Sequence, residues 1–378
     1  MRLSRGRLTR GNPGVDGNVA YGAGFPLGAS LGGNDDARAS VCRHLRERAS
    51  ARRESSPEPP RRRMRAFLLG ALAAGALTLS SAVGSARADT IHIATPQGAR
   101  EAIVLPGRTT PGPAVIVLHG ATATAGWTAQ GSGFAEAAAA RGFAAVFPQG
   151  IRRQWNDGRE GRTSAVADVD DVGFLQQLID EIIGRGIADA SRIYIAGISN
   201  GGMMTFRMLC EASERFAGAA TVIANMPAGV GERCRLRKPV PIVMFNGTAD
   251  PMVPYDGGGV GLAGGRGMVW GAEQTAAFMA RGNGCGDARE TTPPAEPPGE
   301  PVRVTRLAWS HCRSGSGVIL YRLEGAGHQL PGRRQILPGF LGEGTRQVDA
   351  ADVTLRLFAQ RDASSRPEHH SNGARFRP

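Results

Sequence analysis

The chain is poor in lysine, in cysteine motifs of metal-binding spacing and in repeats, and each shortage removes a class of function. Of its 45 basic residues, 44 are Arg and only Lys238 is Lys, a bias that fits GC-rich coding better than selection for phosphate contacts. The net charge of +12 would ordinarily raise a nucleic-acid or anionic-membrane partner. Residues 1–88, however, carry 15 Arg against 6 acids, whereas residues 89–378 hold 30 basic and 27 acidic groups. The body of the chain is therefore nearly neutral, and no nucleic-acid partner is expected. The five cysteines form no C-x-x-C pair, and the adjacent His311-Cys312 cannot readily point two ligands at one ion. No internal repeat is present.

What is there is enough for a large core. A chain of 378 residues that is 41% hydrophobic and 21% charged, with 54 Gly and 24 Pro, has the length of one large domain or two small ones and is too apolar to be disordered throughout. Near its start one targeting pattern stands out. The basic run Arg61, Arg62, Arg63, Met64, Arg65 precedes an apolar stretch from Ala66 to Leu79, and small residues follow, ending Ala86-Arg87-Ala88. A positive segment, a short apolar segment and an A-x-A site make a secretory signal peptide. Ala66–Val83 also reaches the lower edge of membrane-spanning length, but its Gly, Ala and Ser content makes it weakly apolar. The division expected is an extension without function over 1–63, with Met64 as the true start. A signal peptide over 64–88, a mature domain over 89–360 and a disordered tail over 361–378 follow. After cleavage no membrane partner is expected, and the expected location is secreted or periplasmic.

Cysteine usage agrees with export. With Cys42 in the leader set aside, Cys210, Cys234, Cys285 and Cys312 remain, an even count suited to an oxidising compartment. Four cysteines allow three connectivities, or four free thiols; closeness in sequence favours Cys210–Cys234 and Cys285–Cys312.

From Asp89 onward, short apolar runs alternate with segments of helical period. Thr90–Ala94 and Ala102–Leu105 predict a hairpin. Ala114–Leu118, Ala144–Phe147, Arg192–Ala196, Ala217–Ile223, Val240–Phe245 and Val318–Leu323 predict buried strands. Helices are predicted over Phe134–Arg141, Val172–Gly184, Gly202–Ala212, Ala272–Arg281 and Ala351–Gln360. Strands separated by helices give an α/β fold with a mostly parallel central sheet and helices on both faces. The segment 291–301, TTPPAEPPGEP, is a surface excursion.

Chemistry enters after the strand Arg192–Ala196. Gly197-Ile198-Ser199-Asn200-Gly201 is G-x-S-x-G between a strand and a helix, the context of a nucleophile elbow. The pentapeptide alone could be a Gly-rich turn with an incidental Ser. A serine hydroxyl needs a base to take its proton, and that base, a His, needs a carboxylate to fix its tautomer. In this fold the chain order is Ser, acid, His. Asp250 lies on the loop Asn246–Pro251 after the strand Val240–Phe245, and His328 follows Val318–Leu323; Asp256, later in a Gly-rich loop, competes with Asp250. A tetrahedral intermediate also needs two donors. The Asn200 N–H directly follows the nucleophile, and His119-Gly120-Ala121-Thr122 supplies the second from Ala121, with Thr122 next in line. His119 reads as a structural loop residue. Trp155 and Asn156 are candidates to line the cleft. Asp168, Asp170 and Asp171 could suggest a cation, but Asp170 and Asp171 open a helix, where their charge suits the dipole, and no metal site is assigned.

These residues resemble the secreted esterase/polyhydroxybutyrate depolymerase family of α/β-hydrolases, with its feruloyl and acetylxylan esterase-like members. The resemblance runs from about Ala102 to Pro331. It rests on Val117-Leu118-His119-Gly120, Gln154-Trp155-Asn156, Val169-Asp170-Asp171-Val172-Gly173-Phe174, the elbow with Gly202-Met203-Met204, Gly247-Thr248-Ala249-Asp250-Pro251 with Val253-Pro254-Tyr255, and Gly327-His328. It implies a Ser199, Asp250, His328 triad, no cofactor and an ester substrate, polymeric or small. The family often has Thr-Trp-Pro after the catalytic His; here Gln329-Leu330-Pro331 removes the ring. A peptidase or thioesterase on the same triad, and a non-catalytic exported module binding polymer or carbohydrate, are the alternatives.

Overall fold

The computed structural model describes residues 88–160, 166–292 and 299–364. The extension 1–63, the signal segment through Arg87, positions 293–298 of the Pro-rich excursion and the tail beyond Ser364 lie outside the described residues.

Six strands at the centre of a ten-stranded sheet run parallel. In spatial order they are β4 (Ala144–Pro148), β3 (Gly112–Leu118), β5 (Ala188–Ile198), β6 (Gly218–Val222), β7 (Ile242–Gly247) and β12 (Val318–Glu324). All seven residues of β3 and all six of β7 are buried, as continuous apolar runs covered on both faces must be. Antiparallel strands close the two edges. The hairpin β1 (Asp89–Thr95) and β2 (Gly98–Leu105) pairs with β4 on one side. On the other, β11 (Arg303–Trp309) and β10 (Ala288–Thr291) lie outside β12. A small ribbon joins β8 (Gly258–Gly259) to β9 (Met268–Val269).

Alternation along the strands divides the core between the faces. Ile116 and Ile195 point to one side, where α3 (Asp171–Gly184), α4 (Asn200–Ala212) and α6 (Ala272–Asn283) bury Leu178, Met204 and Ala276. Val115 and Ala196 point to the other, against α1 (Ala125–Gly131), α2 (Phe134–Arg141) and α8 (Ala350–Ser364). Two short helices complete the set, α5 (Ala228–Arg233) and α7 (Pro338–Leu341). No described helix is long and apolar enough to cross a membrane.

Three expectations change. The terminal helix does not stop at Gln360 but runs to Ser364, so four residues assigned to the tail are helical. Within this added turn Asp362 is buried and grips Arg192 of β5 with both carboxylate oxygens, at 2.5 and 2.8 Å, which ties the turn to the sheet. Asp170 and Asp171 do not play the same part at the start of α3. Asp170 caps the helix, its Oδ1 accepting from the Gly173 N–H, whereas the fully buried Asp171 turns inward to Arg100 at 2.7 Å. Burial pushes the Asp171 carboxyl up, against the pull of Arg100 and the Asn156 N–H. The strand Arg303–Trp309 was not anticipated. It lies between β12 and the edge strand β10, and its buried Thr305 breaks the apolar alternation. Both expected disulfides, Cys210–Cys234 and Cys285–Cys312, are formed.

Candidate active site

The elbow begins as backbone geometry. Ser199 directly follows β5 and caps α4 with φ 53° and ψ −119°, a left-handed conformation that costs a non-glycine residue of order 1–3 kcal/mol. Its N–H is held by the Val222 carbonyl at 2.8 Å, and its carbonyl accepts from the Met203 N–H at 3.0 Å. The flanking glycines are required by close approach. A Cβ on Gly197 would overlap the carbonyl of Gly201, and one on Gly201 would overlap the carbonyls of Leu118 and His119. The turn therefore presses against the end of β3, the strand whose loop carries the oxyanion candidate.

The acid and the base arrive on neighbouring parallel strands. Leu323 of β12 lies opposite Gly247 of β7, so the loops that follow leave the sheet at one edge. Asp250 is buried; its Oδ1 accepts from the Met252 and Val253 N–H groups at 2.7 and 2.8 Å. Its Oδ2 faces His328 Nδ1 at 2.7 Å. With that proton donated to Asp250, His328 Nε2 is free to accept the Ser199 hydroxyl, 3.0 Å away. Asp256, the competing acid, is exposed in the loop beyond.

The donors form a second constellation. Thr122 N–H is engaged by the Arg153 carbonyl at 2.8 Å, which leaves Ala121 as the candidate of its loop. Ala121, Ser199, Asn200 and His328 line one cavity. The Asn200 side chain does not face it as an acceptor. Its Oδ1 takes the Trp155 N–H, and its Nδ2 donates to the Trp155 carbonyl and to Asp157 Oδ2, at 2.8, 3.0 and 2.6 Å. Trp155 Nε1 in turn donates to the His119 carbonyl at 2.9 Å. His119 is fully buried, its Nδ1 donating to the Gly120 carbonyl and its Nε2 accepting from the Gly150 N–H. Burial pushes it down to about 4, with a smaller contribution from Arg100 and a hydrogen bond to Gly120 opposing. The imidazole is therefore a neutral strut under the oxyanion loop, as the sequence suggested.

Two cavities, of about 530 and 480 Å³, meet at Ser199 and His328. Trp155 forms part of the first wall but is only 1% exposed. Asn156 is not in that cleft. Its amide bridges the carbonyls of Ala167 and Val169 and it borders a separate groove with Arg207, so the expectation that it binds substrate gives way to a loop-fixing contact. Sequence reading did not single out Asp157, Arg159 and Arg266 on the first wall, or Trp127, which lines the second cavity at 43% exposure. Asp157 adjoins the Gln154-Trp155-Asn156 run and was one step from notice; Arg266 sits in a Gly-rich stretch without periodicity. A third cavity, about 370 Å³ beside Tyr194 and Phe358, lies at the opposite ends of the strands.

A parallel-centred sheet with helices on both faces, and a Ser–His–Asp chain of hydrogen bonds at its carboxyl edge, define an α/β-hydrolase. Residues 138–227 match the Prolyl oligopeptidase family. "Putative esterase NocK" of Nocardia uniformis subsp. tsuyamanensis is 31% identical over 253 residues, which are 64% of this chain and 73% of that one. "Feruloyl esterase B" of Piromyces equi is 30% identical over 224 residues, 57% of this chain and 39% of that protein. The solved acetyl xylan esterase from Aspergillus awamori is 14% identical with a TM-score of 0.44, covering 64% of this chain and 94% of that one. The chain belongs to the esterase family of the α/β-hydrolases, and is a carboxylic ester hydrolase.

Proposed function

We propose that the protein is an exported serine esterase in which Ser199, activated by His328 and Asp250, forms an acyl-enzyme. The reading is carried by the unbroken chain from Ser199 Oγ through His328 to Asp250, opening on a cavity. Ser199 Oγ attacks the ester carbonyl as His328 Nε2 takes its proton, and the N–H groups of Ala121 and Asn200 receive the oxyanion. Collapse breaks the acyl C–O bond, and the imidazolium proton leaves with the alcohol. Water then attacks the acyl-enzyme, giving its proton to His328, and the acid departs as Ser199 recovers its hydrogen. No step calls for a cofactor. The fold supports a mature domain from Asp89 through Ser364, and the two disulfides support an oxidising compartment. Esters of polyhydroxybutyrate, feruloyl-polysaccharide and acetylxylan type are the substrates to try first.

A peptidase reading has one observation in its favour, the match of residues 138–227 to the Prolyl oligopeptidase family. Matched ester, anilide and thioester substrates, with a fluorophosphonate probe, decide between them. The esterase reading expects Ser199 to be labelled and the ester to be turned over far faster than the anilide. Anilide preference would favour the peptidase, and polymer binding without labelling would favour a non-catalytic module. N-terminal sequencing of exported protein should begin at Asp89; a mature form that keeps Met1 would refute the processing scheme.

A further inference from the structure

The charge around Ser199 is one-sided. The two cavities that meet there are lined by three guanidinium groups, Arg153, Arg159 and Arg266, and by one carboxylate, Asp157, with Asp250 buried behind His328. Arg159 is neutralised: it chelates Asp157 through Nε, at 3.0 and 2.9 Å to the two oxygens, and through Nη2 at 2.8 Å. Its Nη1 donates to the Arg266 carbonyl at 2.9 Å, so it anchors the backbone that presents the Arg266 side chain. The same loop is tied to the acid's loop by Gly261 N–H to the Met252 carbonyl at 2.7 Å. Among the described residues neither Arg266 nor Arg153 makes an ion pair with a carboxylate, and both are exposed to the cleft. Residues 89–378, by contrast, are nearly balanced, with 30 basic and 27 acidic groups. The surplus is local.

A fixed positive surplus inside a concave site concentrates anions and pairs well with planar carboxylates, since a guanidinium presents two parallel donors. The second cavity is more apolar, with Trp127, Ile223, Leu330 and Ile336 along it. Resting on the hydrolase reading above, we propose that the preferred substrate is an ester one half of which bears a carboxylate, held by Arg266, with the neutral half against the Trp127 wall.

The test uses 4-acetoxybenzoate and its neutral analogue 4-acetoxybenzamide, and, for the acyl side, monomethyl glutarate and methyl pentanoate. In at least one pair, the wild type should turn over the anion with the higher kcat/KM. Arg266→Gln should lower that charged-to-neutral ratio roughly ten-fold, the scale of one well-placed charge contact. Arg289→Gln, on the exposed edge strand β10, should leave the ratio unchanged, and salt should compress it. Calorimetric binding of the same pairs to Ser199→Ala gives a readout that needs no turnover. Tighter binding of the anion supports the charged subsite even if no ester is hydrolysed, in which case the hydrolase reading alone fails. Equal or weaker binding of both anions, or a ratio unmoved by Arg266→Gln, overturns the proposal while leaving the esterase intact.

Discussion

Acid should weaken this fold through a residue that takes no part in proton transfer. His119 is fully buried and held near 4, against about 6.5 for an ordinary imidazole. Its pKa is thus lower folded than unfolded, so the unfolded chain binds the proton first. The stability it contributes is complete above about pH 6.5 and is lost progressively as the pH falls towards 4. At about 1.4 kcal/mol per tenfold change in proton affinity, the full loss is roughly 3 kcal/mol. Structurally, protonation turns Nε2 from an acceptor of the Gly150 N–H into a second donor facing it. Urea unfolding of the wild type and His119→Asn, followed by tryptophan fluorescence at pH 7.0, 5.5 and 4.5, isolates the effect from the carboxylates both proteins share. The variant should be less stable at pH 7, by about 1–3 kcal/mol for the unpaired Gly150 N–H, and the two curves should converge as the pH falls. Parallel curves would refute the assignment of His119 as a buried neutral strut.

Other perturbations have equally definite outcomes. Asp250→Asn should lower kcat by roughly 10³–10⁴ through the wrong His328 tautomer, while Asp256→Asn stays within about two-fold; steady-state kinetics showing the reverse would move the acid. Gly201→Ala should cost about 1–3 kcal/mol, because the backbone of Leu118 and His119 blocks a Cβ, and should depress kcat; an unfolding midpoint equal to wild type would contradict the elbow packing. Reduction of the disulfides, which join residues 24 and 27 apart in sequence, should remove about 2–4 kcal/mol each. A melting temperature unchanged by reductant, or crossed pairs in non-reducing peptide maps, would overturn that expectation.

Most of the parallel core was legible because each strand is a short apolar run, bounded by Gly or Pro and separated by helical periods. Ser199 and His328 could be found because the elbow and the strand-end His have strict positional rules. What escaped notice had no hydrophobic signal. The strand Ala288–Thr291 is exposed throughout and exists only as a partner for β11. The helix Ala125–Gly131 is rich in Gly and Ala and depends on Thr124, whose Oγ1 accepts from the Trp127 N–H. Asn156 was misjudged because a polar residue beside a Trp looks alike whether it meets substrate or, as here, two loop carbonyls. Arg266 was invisible because its relation to Ser199 depends on how a Gly-rich ribbon folds back, which no local pattern specifies.

Hydrolysis by Ser199→Ala compared with wild type tests the central assignment most directly. With 4-nitrophenyl acetate as substrate and circular dichroism to confirm the fold, removal of one oxygen should lower kcat/KM by roughly 10³-fold or more, since the base then has no proton to take. A folded Ser199→Ala protein that keeps even a tenth of wild-type turnover would place the nucleophile elsewhere.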